Sequence, residues 1–121
     1  MTTTEFDDDL YARLEPVARA GRVIHTLGIA RPNRIVALGR DGVRVETQRS
    51  DEKGTGPQLV PAWMVTVAWR RLLVRGRLSQ EELLKELNVK RSAFVCALLA
   101  QFDDVEVERA RPITLRRLTR L

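Results

Sequence analysis

Leu78-Ser79-Gln80-Glu81-Glu82-Leu83-Leu84-Lys85-Glu86-Leu87-Asn88-Val89-Lys90-Arg91-Ser92-Ala93-Phe94-Val95 is the stretch on which the fold turns. Ser79 with Glu82 three residues later is a capping box, in which each side chain satisfies the other's backbone donor at a helix start. Leu83, Leu84 and Leu87 supply that helix with an apolar face. Asn88 tolerates the left-handed conformation that ends a helix. Lys90, Arg91 and Ser92 then precede an apolar run, which predicts a further helix over about Arg91 to Phe102. The pattern is a short capped helix, a turn of a few residues and a second, more apolar helix.

Upstream, Pro61 suits a first helical turn. Val65, Trp69, Leu72 and Leu73 mark one buried stripe of the helix that follows, and Gly76 closes it. Trp63 lies about 240° around that helix from Trp69. Both tryptophans read as core, with Trp63 the better candidate for exposure. Downstream, Asp103-Asp104 makes a turn, and Val105 and Val107 alternate with Glu106 and Glu108. Arg109-Ala110-Arg111-Pro112 then reverses the chain into a last strand running to Leu118.

The first half reads differently. Phe6, Leu10, Leu14 and Val17 form one apolar stripe of a helix over Phe6 to Ala20, stopped at Gly21. Pro16 predicts a kink there or a division into two short helices. Val23 to Leu27 and Arg34 to Leu38 read as strands. Asp41-Gly42 is a hairpin turn, followed by Val43, Val45 and Thr47 alternating with Arg44, Glu46 and Gln48. Ser50 to Gln58 reads as a loop. The expected fold class is α+β: a small antiparallel β-lobe with its hairpin over about 34–48, joined to a three-helix unit with a C-terminal β-hairpin. Residues 1–121 form one domain, with lobes at 1–58 and 59–121.

The second half resembles a winged helix-turn-helix domain, on the residues from Leu78 to Val95 and the hairpin that follows. The resemblance covers about half the chain and implies binding of double-stranded DNA. Carried over by position, Lys90, Arg91 and Ser92 would meet phosphates at the start of the recognition helix, and Arg109 and Arg111 would do so at the wing. Arg31, Asn33 and Arg34, in a loop shaped by Gly28 and Pro32, form a second cluster of donors. That loop beside a winged helix resembles accessory domains of bacterial restriction and other DNA-handling systems. One feature departs from the family. Ala93 to Ala100 is apolar on nearly every side, whereas a helix that reads bases needs polar residues on its outer face. Two outcomes stay open. The protein holds phosphates and reads shape. Or the third helix packs against the β-lobe or a second copy, and the unit is a protein–protein adaptor or dimerisation module.

Charge supports a polyanion partner. The net charge is +5, yet residues 1–15 carry five acids and one arginine, so the remaining 106 residues carry +9. Of 21 basic residues 18 are Arg, a bias that codon composition alone also produces. No apolar run approaches the ~20 residues of a membrane span. The Thr- and Asp-rich N-terminus lacks a signal-peptide core, and Cys96 is the only cysteine; both point to the cytoplasm.

Enzyme chemistry finds little footing, and no catalytic residue, metal or cofactor is expected. His25 and Cys96 are the whole supply of classical ligands and nucleophiles. His25, alternating with Val23 and Leu27, reads as a packing residue, and Cys96 as core. Asp41 with Glu46, and Glu106 with Glu108, make no convincing magnesium site.

Overall fold

The computed structural model describes residues 5–19, 22–28, 30–47, 54 and 56–118. Among them the protein is α+β, with four helices and two antiparallel sheets. The helices are α1 (Asp8–Ala18), α2 (Ala62–Arg75), α3 (Gln80–Lys85) and α4 (Ser92–Leu99). Strands β1 (Val23–His25), β2 (Pro32–Gly39), β3 (Gly42–Thr47) and β4 (Gln58–Pro61) form a four-stranded sheet in that order. Strands β5 (Arg77–Ser79), β6 (Val105–Ala110) and β7 (Ile113–Arg117) form a second sheet in the order β5-β7-β6.

α1 begins at Asp7, whose carboxylate accepts the Leu10 amide at 2.8 Å, and buries Leu10, Leu14 and Val17. One helix runs through Pro16 instead of breaking there. The missing amide falls in its last turn, where only one backbone bond is lost. The expected end at Ala20 and Gly21 lies outside the described residues.

The Asp41-Gly42 hairpin forms as expected and aligns Val43 opposite Leu38. Gly42 has a second reason to be glycine. A Cβ there would come 2.2 Å from the Val60 carbonyl oxygen, so β4 reaches its place only because position 42 is bare. β4 itself was not expected: Gln58 was read as the end of a loop and Pro61 as the first turn of a helix. Its four residues carry no readable period and become a strand because Val60 lies opposite Val43 and Leu59 opposite Arg44. In β1 the parity is opposite to that expected: Ile24 is buried, while Val23 and His25 face out. A three-residue strand is too short for alternation to choose its face, and packing chooses instead. His25 is therefore an exposed residue and not a packing one.

α2 buries Val65, Ala68, Trp69 and Leu72 and ends on Gly76 in the left-handed conformation, whose amide returns to the Leu72 carbonyl. Trp63 on its first turn is 36% exposed and stands apart from the core. The capping box closes in full: the Ser79 hydroxyl accepts the Glu82 amide at 3.1 Å, and the Glu82 carboxylate accepts the Ser79 amide at 3.3 Å. Asn88 takes φ 53° as expected, and the Val89 amide closes back on the Leu83 carbonyl at 2.7 Å. The strand β5 between α2 and α3 was not expected. Leu78 acquires its extended neighbour from Leu115, some forty residues on.

α4 is shorter than expected, and Ser92 and Phe94 to Leu99 are all buried. It packs against α2, α3, β7 and β1. The first strand of the N-terminal sheet thus covers part of α4. Ile24 and Ile35 from one half share a core with Leu98, Leu99 and Leu115 from the other.

Candidate nucleic-acid interface

At one end of the four-stranded sheet, β1 stops at His25 and β2 starts at Pro32, opposite it. Next to them β3 stops at Thr47 and β4 starts at Gln58. Two connections bring parts of the second half to this end. The Arg91 guanidinium donates to the Gln58 side-chain carbonyl at 3.0 Å, which fixes the start of α4 against β4. The Arg111 guanidinium at the tip of the β6–β7 hairpin donates to the Gly28 carbonyl oxygen, 3.4 Å away in the turn after β1. β1 and β4 are the two outer strands of the sheet. Three strand spacings therefore separate the strands that carry these anchor points, about 14 Å across the sheet, and the register adds an offset along the strands.

The expected contact residues fall into three groups. Lys90, Arg109, Arg111 and Arg31 are exposed and, among the described residues, have no ion-pair partner. Arg91 is half buried and bound to Gln58, and burial pushes its pKa down. Ser92, Asn33 and Arg34 are otherwise engaged. Ser92 is 2% exposed, its hydroxyl accepting from the Gln80 amide at 3.0 Å. Asn33 is buried, its amide donating to the Arg31 carbonyl at 3.1 Å. Arg34 is ion-paired with Glu46 on the neighbouring strand. A phosphate could not reach Ser92 or Asn33 without displacing core packing, so neither belongs to this surface. Sequence reasoning missed Gln58 and Gly28, the two acceptors that position the arginines. Neither residue type carries a local signal for that role.

Elsewhere most of the arginines are neutralised, with Arg19, Arg22 and Arg70 the exceptions among the described residues. Arg71 reaches Glu82 and Glu86, and Arg75 also reaches Glu82. Arg77 meets Glu108 at 2.6 Å, Arg116 meets Glu106, and Arg40 meets Asp8. Asp104 holds both Arg13, at 2.9 Å, and Arg117, at 3.4 Å. Burial pushes the Asp104 carboxyl up, but the hydrogen bond and charge of Arg13, its own backbone and the charge of Arg117 outweigh this and hold it below the ordinary value. The carboxylates weighed as magnesium ligands are likewise tied to arginines: Asp41 to Arg44, Glu46 to Arg34, and Glu106 and Glu108 as above. Burial raises the Cys96 thiol pKa to about 12.

A cavity of about 820 Å³ lies at the opposite end of both hairpins, lined by Arg13, Arg22, Phe102, Asp104 and Arg117 among others. It is roughly 17 Å from the tip of the β6–β7 hairpin by the length of β6. Arg13 stacks 4.7 Å over the Trp69 ring, which meets Phe102 edge-on at 5.2 Å. No helix among the described residues is long and apolar enough to cross a membrane.

No protein-family model matches the chain, and no curated protein or solved structure matches it either.

Proposed function

We propose that this chain is a non-enzymatic, cytoplasmic DNA-binding module of the winged helix-turn-helix type. It grips the backbone of double-stranded DNA with the end of the molecule that carries Lys90, Arg91, Arg109, Arg111 and Arg31. Such a module suits an accessory part of a DNA-handling system of the restriction kind. The order α2-β5-α3-α4-β6-β7 supports the fold assignment, as does the second sheet's order β5-β7-β6, with a short strand between the first two helices of the unit. The observation that carries the function is electrostatic. Cations without a carboxylate gather at one end, whereas most arginines elsewhere are paired. Charge that is not neutralised within the protein is what releases counterions from DNA. A gel-shift series with duplex, single-stranded and chemically modified DNA tests this reading. Duplex binding that weakens steeply with salt supports it, and no shift with any DNA refutes it.

A second reading, a protein–protein adaptor, rests on a different face from the one the sequence suggested. α4 is covered within the chain, but the outer side of α2 leaves Val74 84% exposed, beside the exposed Leu73. An oligomer by light scattering that Val74→Glu dissolves, with no salt-sensitive DNA affinity, would favour this reading over the first.

A further inference from the structure

We infer that the turn between β1 and β2 is a groove-reading element in its own right. It carries Arg31 into the minor groove of duplex DNA beside the wing's Arg111, so that the protein prefers sequences whose minor groove is narrow. This rests on the DNA-binding reading above and goes beyond it by assigning a selectivity and the residue that supplies it.

The turn is built to hold one side chain outward. The Thr26 amide donates to the Arg31 carbonyl at 2.9 Å, and the Arg31 amide donates to the Thr26 hydroxyl at 2.9 Å. The buried Asn33 amide donates to the same Arg31 carbonyl. Ala30 sits at φ 59°, a left-handed conformation unfavourable for an L-residue, and the surrounding bonds hold it there. The Arg31 side chain leaves this fixed backbone exposed and without an ion pair among the described residues. Arg111 is moored to Gly28 in the same turn, so the two arginines belong to one corner of the molecule.

What else stands at this end selects the groove. The major groove, about 12 Å wide, admits a helix, but α4 is buried on all sides and offers no free polar face. Asn33, the residue suited to an adenine edge, is buried with its amide occupied. What remains is a hairpin tip and a tight turn, each bearing an arginine. The minor groove, about 6 Å wide, admits side chains of that kind. Where A·T tracts narrow it, its negative potential deepens and draws arginine in. Guanidinium enters more readily than ammonium because it is less strongly hydrated. The preference therefore follows groove width and requires no base hydrogen bond from α4.

The test uses three duplexes of equal length with central A·T tract, G·C or inosine·C segments, titrated by fluorescence anisotropy. Inosine·C keeps the major-groove edge of G·C and removes the amino group from the minor groove. The expected result is about tenfold tighter binding to the A·T and inosine·C duplexes than to G·C. Arg31→Lys should reduce that ratio to about twofold while leaving the salt dependence unchanged. A wild-type protein that binds all three duplexes equally, or inosine·C like G·C, overturns the inference and leaves the DNA-binding reading intact. So does an Arg31→Lys variant that keeps the full ratio. Absence of salt-sensitive binding to any of the three overturns both.

Discussion

Salt dependence is the most direct test of how the surface charge is arranged. Four exposed cations without ion pairs face the proposed ligand: Arg31, Lys90, Arg109 and Arg111. Arg91 is left out because its guanidinium is half buried and already holds Gln58. At 0.9 counterion per phosphate contact, the slope of log affinity against log salt is about −3.6. Raising salt from 50 to 200 mM then weakens binding roughly 150-fold. Replacing Arg109 or Arg111 with Ala should flatten the slope by about 0.9 each, and the double variant by about 1.8. Arg70 supplies the control. It is exposed and without an ion pair among the described residues, but it sits on α2 away from the sheet end. Arg70→Ala changes net charge by the same amount and should leave the slope unaltered. Fluorescence anisotropy over five salt concentrations resolves these differences. If Arg70→Ala flattens the slope as much as Arg109→Ala, binding follows overall charge and the argument from placement fails. A slope that none of these replacements changes refutes it as well.

Ser79→Ala removes one half of the capping box and should cost about 1 kcal/mol, read as a lower urea midpoint at unchanged m-value. Asp104 has a folded pKa held below its ordinary 3.8 by Arg13 and Arg117, so its contribution is present above that value and lost as pH falls through the folded pKa. Asp104→Asn should accordingly lower Tm at pH 7, with the gap to wild type closing below about pH 4; a gap of constant size would contradict the assignment. Cys96, buried and with its thiol pKa raised to about 12, should resist a thiol reagent at pH 8 in the native state and react in denaturant.

Much of the local structure was legible because its causes lie within a few residues. The capping box, the Asn88 turn, the Gly76 stop and the Asp41-Gly42 hairpin each depend on neighbours no more than about six positions apart. The short strands were not legible. β4 and β5 are four and three residues long, and each is extended only because a distant strand pairs with it. The orientation of β1 was lost for the same reason. Of the residues the sequence proposed as contacts, Lys90, Arg109, Arg111 and Arg31 lie exposed, while Ser92 and Asn33 are buried. Small polar residues beside a turn look like ligand contacts in a linear reading, yet these two stabilise the turns from inside.

The amino-acid order alone determined an α+β chain with a capped short helix, an apolar helix after it and a surplus of arginine. These follow from periodicity and composition, which any reader of the string can count. Which arginines keep their charge toward solvent was decided only by folding, because a cation is silenced by whichever carboxylate the chain brings beside it. Arg77 meets Glu108 across the second sheet and Arg34 meets Glu46 across the first, while Arg109 and Arg111 meet none among the described residues. Coulomb attraction acts through space and is indifferent to sequence separation, so only the tertiary structure could separate the paired charges from the free ones.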